Sequence, residues 1–298
     1  MVACEIPFPE LLGLGYAGFA KVDTVFLMLT GGGAVEQDNL VKSPGAVSTE
    51  ISRSVGQVPV RDRRSLAITL EAELTPSSAE LVKEATLEWR RSGLLEKTHE
   101  IEISIANGEG YITDEAYMET VAIISPQGGL CTVSFGMRAW KWTDTEGISH
   151  PRKQSAFLPF DKSEFQPIPN WDTTVEFNGQ PGTPTDFELA FNNNWFYAQL
   201  LEARKEPPDP RVITAGPLDI TFNLTTLAER GQRPLESGTP KITYGGSVKL
   251  GPKNAIPETV FDIPLVYRDP NRTLQSLGDQ NGVVRWQAGW SALGVLPD

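Results

Sequence analysis

The chain has 298 residues, with 26 Lys and Arg against 38 Asp and Glu, for a formal charge of -12. Its 40% hydrophobic and 21% charged residues are enough for a packed core, which excludes a disordered tail. The acidic balance excludes a protein that grips nucleic acid by neutralising phosphates, and no apolar run approaches the ~20 residues of a membrane helix.

The N-terminal stretch carries Glu5, Pro7, Pro9 and Glu10 where a secretory leader would need a basic start and an unbroken apolar run. Residues 1–20 are expected to be an arm. Within it Gly13-Leu14-Gly15-Tyr16-Ala17-Gly18 spells a GxGxxG string. A dinucleotide site needs a strand before that string and a helix after it. Here prolines precede it and the strand-like Lys21–Leu29 follows, so no cofactor is expected. Gly31-Gly32-Gly33 reads as a turn, and Gly31–Val41 and Gly45–Gly56 read as loops. The cluster Arg61, Arg63 and Arg64, with Asp62 inside it, reads either as a solvated loop or as a contact to an acidic neighbour.

Leu66–Leu74 alternates strictly, with Leu66, Ile68, Leu70, Ala72 and Leu74 against Ala67, Thr69, Glu71 and Glu73. That pattern predicts a strand with one oily and one wet face. A helix is expected over 76–90. Thr75 is a candidate cap, Pro76 suits the first turn, Ser77 and Glu80 have capping-box spacing, and Leu81, Ala85 and Trp89 share a face. Further strands are expected at Glu100–Ile105, with Glu100 and Glu102 on the wet side, at Met118–Ser125 and at Thr132–Trp142.

Residues 143–171, rich in charge and proline, read as a linker or arm. Beyond it, strands are expected at Thr173–Phe177, Asp186–Phe191, Leu218–Thr225, Ile242–Leu250, Val260–Tyr267 and Val283–Leu293. Asp186, Glu188 and Asp219 fall on wet faces. Trp195–Glu202 reads as a short, ambiguous helix. Gly- and Asn-rich turns between the strands make the bulk antiparallel β.

The chemistry-bearing residues do not converge in sequence. Cys4 and Cys131 read as two reduced thiols rather than a disulfide framework. His99 and His150 lie far apart, without metal-ligand spacing. No nucleophile elbow and no Walker loop occurs. The alternating carboxylates are explained as wet strand faces, so neither catalysis nor a metal is expected. The tryptophans Trp140, Trp142, Trp286 and Trp290 suit cores or subunit seams in an acidic chain.

The two halves resemble each other in order and spacing. Ser65–Leu70 aligns with Pro217–Phe222, and Phe135–Trp142 with Trp286–Leu293, each closing strand following a Gly-bearing turn at a similar interval. The helix has no clear twin. Duplication would give a first β domain over 21–142 and a second over 172–298.

Paired strands at Ser65–Leu74 and Pro217–Leu224, the helix Pro76–Trp89 and the closing strands Thr132–Trp142 and Val283–Leu293 resemble a bacteriophage tail-tube (major tail) protein. The type is that of long flexible-tailed phages with two tandem tube domains. The resemblance implies a mainly β fold of duplicated antiparallel β-sandwich or split-barrel domains with a flanking helix. It implies trimeric rings of near-sixfold symmetry, stacked into a tube that conducts DNA during ejection. The partners would be copies of the chain and the tape-measure, terminator and tip proteins, in a virion tail assembled in the host cytoplasm. Glu71, Glu73, Glu100, Glu102, Asp186, Glu188 and Asp219 are the expected lumen lining, since carboxylates repel phosphates. A tandem β-sandwich adhesin or a capsid decoration protein is the other reading, with a β-sandwich carbohydrate-active enzyme as a third.

Overall fold

The computed structural model describes residues 4–7, 18–42, 59–91, 98–105, 110–144, 157–160, 166–177, 180–182, 184–198, 212–215, 218–227, 244–250, 259–268, 274–276 and 285–292. Period-2 alternation dominates them, and among the described residues it builds a mainly β chain with one α-helix.

The first half contributes β1 (Cys4–Pro7), β2 (Gly18–Val22), β3 (Val25–Lys42), β4 (Pro59–Glu73), α1 (Pro76–Arg91), β5 (His99–Ile105), β6 (Gly110–Ser125), β7 (Thr132–Ala139) and β8 (Thr143–Asp144). β9 (Phe157–Phe160) pairs with β1. The second half contributes β10 (Thr173–Phe177), β11 (Gln180–Gly182), β12 (Pro184–Asn192), β13 (Trp195–Ala198), β14 (Val212–Ala215), β15 (Asp219–Leu227), β16 (Tyr244–Leu250), β17 (Thr259–Arg268), β18 (Leu274–Ser276) and β19 (Arg285–Ala292).

One 15-stranded sheet holds most of these strands. In the first half the order β3-β4-β7-β6-β5-β2 closes through the β2–β3 pair into a 6-strand antiparallel barrel. The second half runs β12-β15-β19-β17-β16-β10, and its last strand pairs with β11 instead of returning to β12. The two orders correspond strand for strand. β6 joins them by pairing with β12.

The barrel fills with the aliphatic side of each strand: Leu66, Ile68 and Leu70 from β4, Phe135 and Met137 from β7, Ile101 and Ile103 from β5. Phe187, Leu189 and Phe191 of β12 and Ile220, Phe222 and Leu224 of β15 continue the same cluster beyond the barrel. Each such side chain stabilises the fold by about 1.5–3 kcal/mol relative to exposure.

The helix forms where expected, but its cap differs. Thr75 and Ser78 bond reciprocally: the Ser78 amide donates to Thr75 Oγ1 (3.3 Å) and the Thr75 amide donates to Ser78 Oγ (2.9 Å). A serine three residues after the cap thus takes the role expected of Glu80. Leu81, Ala85 and Trp89 are buried as the periodicity predicted, joined by Ala79 and Val82. The helix lies beside β3 and β17.

Three expectations are corrected. Lys21–Leu29 is not one strand, because the chain reverses at Asp23 and Thr24 between β2 and β3. Asp23 takes φ 53°. Its amide donates to the Glu100 carbonyl (2.8 Å), and its carboxylate accepts the Glu100 amide (3.0 Å) and meets His99 Nδ1 (2.8 Å). The turn is held by a partner strand rather than by Asn-Gly chemistry, which hides it from local reading.

Gly31-Gly32-Gly33 is not a turn, nor is Gly31–Val41 a loop; β3 runs through both with a bulge between Leu29 and Gly31. Gly32 has φ +103°, and a Cβ there would strike the Thr69 carbonyl oxygen. The glycines let a long strand kink while staying paired to β4. Trp195–Ala198 is strand β13, not helix. The loop expected around Gly45–Gly56 and the string Gly13–Ala17 lie outside the described residues.

The end of the expected linker is stitched to the barrel. The Leu74 amide donates to the Cys131 carbonyl, the Cys131 amide to Ile168 and the Ile168 amide to Leu74, each at 2.8 Å. Asn170 Nδ2 donates to Ser125 Oγ (2.7 Å), which also accepts from Cys131 Sγ (3.3 Å). Cys131 is a free, buried thiol, so no Cys4–Cys131 bridge exists. No helix among the described residues is long and apolar enough to cross a membrane.

Two predictions follow from these contacts. Gly32→Ala is expected to lower the unfolding free energy by about 1–3 kcal/mol in urea denaturation. Gly33→Ala, whose Cβ would meet nothing within 4 Å, is expected to stay within ~0.5 kcal/mol of the parent. Burial pushes the Cys131 thiol up from 9.0 to about 11; its hydrogen bond with Ser125 opposes this and Asp172 adds to it. A raised folded-state value favours the neutral thiol, so its contribution, on the order of 2–3 kcal/mol, is full below pH 9 and lost as pH rises through about 11. Urea unfolding at pH 8 and at pH 10.5 is expected to show a smaller alkaline loss in Cys131→Ala than in the parent.

Candidate functional site

The barrel core claims one side of β4, β7, β6, β12 and β15, and the opposite side remains accessible across all of them. Register sets its rows. Glu71 stands opposite Ser134, Ser134 opposite Ala122, Ala122 opposite Ala190, and Ala190 opposite Thr221. One row over, Glu73 faces Thr132, then Ile124, Glu188 and Asn223. On the other flank Thr69, Gly136, Thr120, Asn192 and Asp219 follow one another. The result is a wide, continuous face of small and polar side chains studded with carboxylates.

Five of the seven carboxylates singled out from the sequence meet here. Glu71 and Asp219 are exposed, and Glu73, Asp186 and Glu188 are half-buried. Glu71 leans over β3, where a Cβ on Gly31 would sit 2.5 Å from its carboxylate oxygen. Glu188 Oε2 accepts a hydrogen bond from Asn223 Nδ2 at 3.1 Å, fixing it in the plane of the face.

Glu100 and Glu102 do not join them. Ile101 and Ile103 are buried, so the two glutamates point outward from β5. That strand stands across the barrel from β4 in the strand cycle, and Glu102 is instead opposite Lys21 of β2. Alternation marks a residue as wet without telling which of several wet faces it belongs to.

The face also holds residues that sequence reasoning passed over. A register shift between Met118 and Thr120 makes Glu119 a bulge residue. Arg138 Nε donates to Glu119 Oε1 at 2.7 Å, with a second contact at 3.4 Å. Arg138 is thereby neutralised locally, and the other carboxylates of the face keep it acidic. The signal was present in Thr132–Ala139, where Thr132, Ser134, Gly136 and Arg138 alternate with buried Val133, Phe135, Met137 and Ala139.

The bulge is also where β6 changes partners, leaving β5 after Ala116 and meeting β12 from Thr120. Two backbone carbonyls near the junction receive new donors. Trp195 Nε1 donates to the Met118 carbonyl (2.9 Å) and the Asn193 amide donates to the Glu119 carbonyl (3.0 Å). Tyr117 packs edge-on against Trp140 and Trp195, with ring centroids 5.3 and 6.2 Å apart.

Among the described residues no group of three or more His, Cys, Asp or Glu is placed to hold a metal ion. The carboxylates of the face are spread along and across strands, so their charge acts over the whole surface. No protein-family model and no curated protein matches the chain.

Trp195→Phe keeps the aromatic packing and removes the donor to Met118. It is expected to cost about 1–3 kcal/mol, read as a lowered urea midpoint, since it strands a carbonyl at the junction.

Proposed function

We propose that the chain is a structural subunit of a bacteriophage tail tube, assembling with copies of itself into stacked rings around a channel that passes DNA. The observation that carries this reading is the continuous polar face across β4, β7, β6, β12 and β15, with carboxylates on β4, β12 and β15, backed on its other side by the hydrophobic core. A conduit for a polyanion must attract it nowhere. Carboxylates spaced along a wall that is mostly Ala, Ser, Thr and Gly, with Ile124 and an ion-paired Arg138 among them, repel phosphates within a screening length of ~8–10 Å.

In this reading Glu71, Glu73, Asp186, Glu188 and Asp219 line the channel, and Glu100 and Glu102 lie on the outer wall. The matching strand orders of the two halves support a duplicated tube domain, so that a trimer of chains would supply six similar units. The second unit has diverged in lacking both the barrel closure and a counterpart of α1 among the described residues. The reading assigns the chain no catalytic step.

Electron microscopy of the purified full chain is the direct test, with rings or tubes bearing a central hole expected. A protein that stays monomeric at every concentration and binds glycans would instead fit the adhesin alternative. Reversing charge on the face gives a second test. The double variant Glu71→Lys/Glu188→Lys is expected to gain salt-dependent retention of DNA in a mobility-shift assay, while the parent shows none. Equal behaviour of the two proteins in assembled form would remove these residues from the channel.

A further inference from the structure

β12 stands beside β15 as β3 stands beside β4, and β19 stands beside β15 as β7 beside β4. The two sets are anchored where β6 breaks register after Met118–Met137 and β17 ends at Arg268–Trp290: Met137 then corresponds to Trp290 and Gly136 to Gly289, so that Thr69 pairs with Gly136 as Asn223 pairs with Gly289, two residues along β15 from the alignment of Ser65–Leu70 with Pro217–Phe222. On this basis Gly33, Ala34 and Val35 of β3 occupy the positions of Glu188, Leu189 and Ala190 of β12.

Those β12 residues use their outer edge to pair with Ile124, Ile123 and Ala122 of β6. Among the described strands the corresponding edge of β3 is open. β2 covers only Val25–Leu29, and no described strand pairs the rest of that edge. Val35 is 61% exposed there, an apolar residue on a strand edge of the kind that templates pairing with another chain.

The complementary edge lies at the other end of the sheet. β17 stops at Arg268, and β18 takes the place on β19 that the second part of β6 holds on β7. The correspondence sets Leu274, Gln275 and Ser276 at the positions of Ala122, Ile123 and Ile124. Among the described strands β18 pairs with β19 alone.

We propose that β18 of one copy adds antiparallel to the open edge of β3 in the next, with Val35 opposite Leu274, Ala34 opposite Gln275 and Gly33 opposite Ser276. The contact is head-to-tail, so it closes into a ring once the turn per subunit sums to a full circle, and each seam between chains repeats the seam within one. The proposal rests on the reading that the chain self-assembles, and it adds which edges meet and in what register.

The test uses the full chain in a Cys4→Ser background. Val35→Cys/Leu274→Cys is expected to give a ladder of disulfide-linked oligomers on mild oxidation. Mixing the two single variants is expected to give covalent dimers that neither gives alone. Val35→Lys is expected to abolish assembly in light scattering while circular dichroism and the thermal midpoint stay those of the parent. Rings that form without cross-links and survive Val35→Lys would overturn the edge assignment and leave the tube reading intact. A Val35–Leu274 bridge within a monomer would also overturn it. A parent chain that stays monomeric at every concentration would overturn both.

Discussion

Everything in this sheet depends on β6 lending one edge to two partners in turn. A strand of sixteen residues (Gly110–Ser125) is longer than a small barrel requires, and the surplus is what β12 pairs with. The change of partner needs a local break, since backbone groups cannot be left bare in a buried seam. The bulge at Glu119 supplies the break, and Asn193 and Trp195 reclaim the Met118 and Glu119 carbonyls. Without that exchange the halves would be two separate sheets, each with an exposed edge.

The acidic face is a consequence of the same continuity. Glu71 and Glu188 lie on strands from different halves, and they share a surface because β7 and β6 carry the register between them. A single-residue slip at any of these pairs would swap wet and oily sides beyond it. Fidelity of register therefore sets the electrostatics of the whole face, and the buried Phe187, Phe191 and Phe222 on the reverse side make a slip costly. The backbone lock among Leu74, Cys131 and Ile168 ties the start of the second half to the end of the barrel, restricting how the two can move apart.

Some local features were legible because their causes are local. The alternation at Leu66–Leu74 and the spacing of Leu81, Ala85 and Trp89 have no strong competitor as strand and helix patterns. Others were misread for equally physical reasons. A glycine triplet usually breaks a strand, yet here β4 runs alongside and keeps β3 paired across the kink. Asp23-Thr24 is a poor turn dipeptide on its own, and it reverses the chain because Glu100 and His99 wait on another strand. In the cap, Thr75 was correctly placed, but its partner depended on a buried Ser78 rather than on a charged residue at the surface.

The sequence by itself determined that the chain is mainly β, where most strands run, which residues of each strand are wet, and that one helix follows β4. Only the tertiary structure decided that five of the seven wet carboxylates share a face and that Glu100 and Glu102 belong to another wall. The reason is that period-2 alternation is a property of one strand, whereas a face is a property of strand order and register. Those are set by hydrogen-bonded partners tens to more than a hundred residues away, as when Leu189 meets Ile123 and Thr69 meets Gly136.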